Sequence, residues 1–135
     1  MPTKVDIPSI KLLESEFKEL DVEMKTIVSD WQGSYINGNW APNIHDDPEK
    51  DFPILERLFA LYDKLTTLSR KYTEIYDDYP ELKKMMDDNL NRLKIATEQI
   101  QKGDSTFVDS PSKESFHTSW MNLHQNLIAF VKKML

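Results

Sequence analysis

Four series of apolar residues recur at alternating steps of three and four, and nothing else in the chain constrains its folding as strongly. The first runs Ile10, Leu13, Phe17, Leu20, Met24, Ile27 and Trp31. The second runs Leu58, Leu61, Leu65, Leu68, Tyr72, Ile75 and Tyr79, widened at its start by Ile54, Leu55, Phe59 and Tyr62. Leu82, Met86, Leu90, Leu93, Ala96 and Ile100 form the third, and Phe116, Trp120, Leu123, Leu127, Phe130 or Val131, and Met134 the fourth. Side chains so spaced line one face of an α-helix. The pattern predicts an all-α chain with helices near residues 9–31, 52–78, 80–102 and 111–134. Each would hold about 21 to 27 residues and extend roughly 32 to 40 Å. Matched lengths and near-heptad stripes favour crossing angles of about 20°, the geometry of an antiparallel four-helix bundle. A chain of 135 residues suits one domain, 1–135, that hides roughly two-thirds of its unfolded surface.

Local signals punctuate these stripes. Ser9 fits the N-cap of the first helix and Gly33 its stop, while Asp51 and Pro53 mark the start of the second. Pro80 opens the third helix and Gly103 closes it, with the acids Asp77 and Asp78 placed to favour its N-terminus. Asn89 and Thr97 intrude near its apolar face. Pro80 allows either a reversal between two helices or a kink in one long helix; the stripe restarting with a new N-terminal signal favours the reversal. The segment GDSTFVDSPS reads as loop, and Ser110-Pro111 begins the last helix. No alternating run bounded by turn residues persists, so no sheet is expected. The first connection, Gln32 to Lys50, exceeds the usual bundle loop, and Gly33, Gly38, Pro42 and Pro48 disfavour helix over most of it.

Several chemistries are excluded or weakened. No cysteine is present, so disulfides, thiolate nucleophiles and cysteine metal sites cannot form. His117 and His124 lie two turns apart on the last helix, about 10 Å along its axis, too far to share one metal ion. Glu114 and His117 have the Glu-x-x-His spacing of di-metal bundles, but no second copy accompanies them. The pairs Asp46-Asp47, Asp77-Asp78 and Asp87-Asp88 lack calcium-loop spacing and read as solvated charge and caps. With three glycines in total, no nucleophile elbow or phosphate-cradling loop appears. We therefore expect no catalytic residues, no metal site and no cofactor. Seventeen Lys and Arg against 23 Asp and Glu give a net charge of −6, which opposes nucleic acid and anionic membranes and suits a basic partner. The start MPTKVDIPSI lacks the apolar segment of a signal peptide, and the longest apolar run, Leu127 to Val131, is far short of a membrane span. A soluble, cytoplasmic protein is the expectation.

The stretch DWQGSYINGNW, residues 30–40, concentrates the remaining interest. Trp31 falls on the first stripe, and Trp40 is expected to fold back over one end of the core, leaving Tyr35 exposed. Tyr35, Ile36 and Trp40, flanked by Asp46 and Asp47, are the candidate partner-binding residues, because exposed aromatic side chains on a long loop are a common anchor for another protein. This reading gives a non-enzymatic interaction protein: an adaptor, assembly subunit or inhibitor. An immunity protein neutralising a basic toxin or bacteriocin is an alternative, as is a metal-binding helical bundle. Phe59, Tyr62, Met121 and Ile128 widen two stripes, which leaves room for a homo-oligomer.

Trp31-Gln32-Gly33, within VSDWQGSY, also resembles the signature of the small Trp-x-Gly proteins exported by type VII secretion systems. That resemblance implies a helical hairpin with the tripeptide in its turn, and a secretion partner as the function. The chain departs from the pattern in three ways, the first being that it carries four helical stripes rather than two. Gly38 and Pro42 intervene before the next helix, and no tyrosine is followed four residues later by an acid, so the family's Tyr-x-x-x-Asp/Glu signal is missing.

Overall fold

Apolar spacing sets the helices, and polar pairs set how they face one another. In the computed structural model, which describes residues 6–134, helix α1 spans Asp6–Gln32 and α2 spans Pro48–Arg70. A short α3, Thr73–Asp78, follows, then α4, Pro80–Gln101, a 3-10 turn at Ser105–Phe107, and α5, Phe116–Met134. The chain is mostly helical, with one small sheet. Every member of the four stripes is buried except Leu20, Leu90, Met134 and the widening residues Leu55, Phe59 and Tyr62, which are half-buried against the same core. The stacked rings of Phe17, Trp120 and Phe116 form its aromatic centre, with Phe17 and Trp120 centroids 5.2 Å apart.

Three ion pairs cross from α1 to α2: Asp30 with Arg57 at 2.8 Å, Glu23 with Lys64 at 3.1 Å, and Glu16 with Lys71, just past the end of α2, at 3.1 Å. As the number on α1 falls by seven, the number on the other side rises by seven, so the two segments run antiparallel with one side-chain ladder along their seam. The Tyr72 hydroxyl extends the ladder, donating to Glu16 Oε1 at 2.6 Å. That bond holds the Glu16 carboxyl below its ordinary pKa, while burial, aided by the Glu16 charge, pushes the Tyr72 phenol up. The seam between α1 and α5 is also antiparallel. The Trp120 indole N–H donates to the buried carboxylate of Asp21 at 3.0 Å, and Phe17 packs on His124. Between α4 and α5, Asn122 Nδ2 donates to Asn89 Oδ1 at 2.8 Å. Asn89 also donates to the Met85 carbonyl, and Thr97 to that of Leu93, so the two polar residues on the α4 stripe are buried with their hydrogen bonds made.

Several boundaries differ from the sequence expectation. α1 runs from Asp6, the first described residue, so Ser9 lies within the helix rather than at its N-cap. α2 begins at Pro48, capped by Asp47, whose side chain accepts from the Glu49 N–H at 3.0 Å; Pro53 therefore sits inside the helix. The expected helix 52–78 is two helices, broken at Lys71-Tyr72, although the stripe continues through both. Tyr79 separates α3 from α4, and no side-chain cap bond is made there, so Asp77 and Asp78 do not cap α4. Phe52 and Leu55 line one cavity with Ile100 and Gly103; the chain therefore reverses near Pro80 rather than kinking. α5 starts at Phe116 instead of Pro111, because the Ser115 hydroxyl accepts from the Thr118 N–H at 3.2 Å and caps the helix there. Phe59 and Tyr62 pack against the core of the same molecule and Ile128 is half-buried, while Met121 is exposed.

The first connection holds the sheet that the sequence reading missed. β1, Gly33–Ile36, pairs antiparallel with β2, Asn39–Pro42, in the register Gly33–Pro42, Ser34–Ala41, Tyr35–Trp40 and Ile36–Asn39. Asn37 and Gly38 form the two-residue turn with φ of 53° and 80°. Positive φ at both central residues matches the right-handed twist of the flanking strands, and Asn-Gly is the dipeptide that adopts it most readily. Where the Trp-x-Gly resemblance implied a turn into a second helix, Trp31-Gln32-Gly33 instead passes from α1 into β1.

Candidate functional site

The hairpin gathers three of the five sequence candidates. Tyr35 is 77% exposed, Ile36 56% and Trp40 54%. Tyr35 and Trp40 are cross-strand partners and share one face of the hairpin; Ile36 points to the other. Trp40 does fold back, but not over the core. Its indole lies on the backbone of Gly33, so closely that a Cβ added there would come within 2.5 Å of Cζ2. The end of the core is covered instead by His45, whose ring lies tilted against Trp31 with centroids 4.1 Å apart. Of the two acids, Asp46 is exposed and makes no ion pair among the described residues, whereas Asp47 is engaged as the cap of α2.

A polar clasp absent from the sequence reading fixes the hairpin to the helices. The Asn43 N–H donates to the Gln32 carbonyl at 2.8 Å. Its side-chain Nδ2 donates to the Trp31 carbonyl at 3.0 Å and to Asp51 Oδ1 at 2.8 Å. Asn43 Oδ1 accepts from the His45 N–H at 3.1 Å, a local turn that holds His45 in the left-handed region at φ 58°. The His45 ring then meets Asp51 Oδ2 through Nδ1 at 3.0 Å. Asp51 is buried and receives both partners, so the α2 residue expected to mark a helix start is the anchor of the whole connection. Ile44 and Phe52, both largely exposed, add apolar surface close to the clasp.

Beneath the clasp lies a cavity of about 190 Å³, lined by Trp31, His45, Phe52, Leu55, Ile100 and Ser105 among others. His45 spends Nδ1 on Asp51 and its face on Trp31, and no hydrogen bond joins it to Ser105. Elsewhere, Glu114 lies outside α5 and turns toward Arg92 at 3.9 Å, so it does not share a helical turn with His117. Side-chain Nδ1 of His124 lies 3.8 Å from Asp21 Oδ2, at the edge of the core. Among the described residues, no group of three or more His, Cys, Asp or Glu side chains is placed to hold a metal ion, and no helix is long and apolar enough to cross a membrane.

The chain matches no known protein family, curated protein or solved structure. What distinguishes the hairpin is that its root is held by hydrogen bonds while its large side chains are exposed. Its turn is set by Asn37-Gly38, its root by Asn43, His45 and Asp51, and its large side chains face solvent.

Proposed function

We propose that this is a non-enzymatic, cytoplasmic protein-interaction protein, an adaptor, assembly subunit or inhibitor, whose helices form an antiparallel four-helix bundle that presents the hairpin to a partner. One observation carries the reading: Tyr35, Ile36 and Trp40 stand more than half exposed on an element that is clasped to the body at several points. Exposed aromatic and branched side chains lose little conformational entropy on binding when already held in place, which is what makes such residues anchors. Affinity capture from cells of the source organism tests it. Changing Tyr35 and Trp40 together to alanine should abolish recovery of the partner while leaving the helical circular dichroism unchanged. A partner retained by the double variant would refute the reading.

The charge favours one specialised form of this function. At net −6, with Asp46 and Glu49 exposed beside the clasp and unpaired among the described residues, the surface suits a basic partner, as in an immunity protein bound to a toxin. That form requires association to weaken as salt rises.

A further inference from the structure

Hydrogen-bonded pairs alternate with non-bonded pairs along an antiparallel ladder. The Asn43 N–H to Gln32 carbonyl bond sets the phase: Ser34–Ala41 and Ile36–Asn39 fall in the bonded class, Gly33–Pro42 and Tyr35–Trp40 in the other. Pro42, which has no N–H, thus occupies a position where none is required. It follows that the main-chain N–H and C=O of Tyr35 point away from β2, along the open edge of β1, and those of Trp40 point away from β1. The two edges are unequal. On the β2 side Pro42 withholds a donor and the next amide, Asn43, is spent on Gln32; a proline at this place is how proteins blunt an edge. The β1 edge contains no proline and carries no such guard.

We propose that the open edge of β1 takes a third strand, supplied by an extended, basic segment of the partner. This rests on the interaction reading above and specifies its mode. Main-chain bonds to Tyr35 would supply register, while alternate side chains of the incoming strand would meet Tyr35 and Trp40 on one face and Ile36 on the other. Two strands alone are marginal in water, and a third gives the hairpin the width a sheet needs. Charge selects the basic segment. Asp109 sits at the root of β1, where Gln32 Nε2 donates to its carboxylate at 3.2 Å, and it makes no ion pair among the described residues. A cationic side chain at the end of the incoming strand nearest Gln32 would complete it.

The experiment is a selection of random displayed peptides on the full chain, followed by binding of the enriched synthetic peptides to variants. Enriched sequences should be extended in pattern and rich in lysine or arginine. Tyr35→Pro removes the outward N–H and should weaken binding roughly tenfold beyond Tyr35→Ala. Trp40→Pro should add little beyond Trp40→Ala, since its edge is not used. Asp109→Lys should weaken binding as well. Protection of the Ile36 amide from hydrogen exchange checks that the proline variants keep the hairpin. If Tyr35→Pro and Tyr35→Ala bind alike while both alanine variants lose affinity, strand addition is wrong and the hairpin remains a side-chain surface. Enrichment of acidic or helical peptides overturns the proposal, as does recovery of no peptide, or self-association of the chain that Tyr35→Pro abolishes. Peptides indifferent to every hairpin variant overturn both readings.

Discussion

At Gly33 the constraint is contact rather than backbone angle. A Cβ there would lie 2.5 Å from the Ala41 carbonyl oxygen as well as from the Trp40 ring, and neither neighbour is a flexible chain end. Gly33→Ala should therefore cost roughly 1 to 3 kcal/mol, the range for overpacked sites, read as a lower urea midpoint together with a shift in tryptophan fluorescence as Trp40 is displaced. Introducing Trp40→Ala first should relieve only part of that cost, because the Ala41 oxygen remains. A glycine at the end of a helical stripe announces a stop, and that much of its role was readable in the sequence. Its service as a seat for Trp40 was not, because the register that brings residues 33 and 40 together is defined only once the turn is known.

At the scale of elements, the hairpin and the helices should respond separately. Gly38 holds φ of 80°, and a β-branched residue there costs about 1 to 2 kcal/mol in the left-handed region. Gly38→Val should accelerate hydrogen exchange of the hairpin amides while the helical circular dichroism stays as it is. Retained protection at Ile36 would contradict the turn assignment. Helices were legible because each stripe is long and each of its members meets the core. The hairpin's cue was present in Asn37-Gly38, but strands of four residues, with Ser34 and Asn39 among them, are too short and too polar to show a period of two. The break at Lys71-Tyr72 had no cue, since no glycine or proline stands there and Leu68, Tyr72 and Ile75 keep facing inward. The clasp was invisible for another reason: Asn43, His45 and Asp51 are ordinary loop and cap residues until folding sets them around Trp31.

For the molecule as a whole, the α1 ladder and the tyrosines set the response to salt and pH. The ion pairs are half-exposed, so each contributes about 0.2 to 1 kcal/mol and is screened by salt. Lys64→Glu should lower the urea midpoint modestly at low salt, and Glu23→Lys in the same chain should restore it. Glu16 binds its proton more weakly when folded, so its contribution is complete above its ordinary value of 4.5 and is lost as pH falls through the lower folded value. Tyr72, and Tyr76 through burial, bind theirs more tightly when folded, so their contribution is complete below 10.0 and fades as pH rises through the raised folded values. Urea midpoints across pH should fall at both extremes, and Tyr72→Phe should flatten both limbs, leaving the Tyr76 share of the alkaline one.

The clasp also decides where a mechanical load would travel. Any pull on the hairpin tip would act on Asn43 and His45, and through them on Asp51 and the last turn of α1. Strain would arrive at the junction of the first two helices before any leucine of the interior moved, so traction at one end of the molecule would be felt as a change in how α1 and α2 meet.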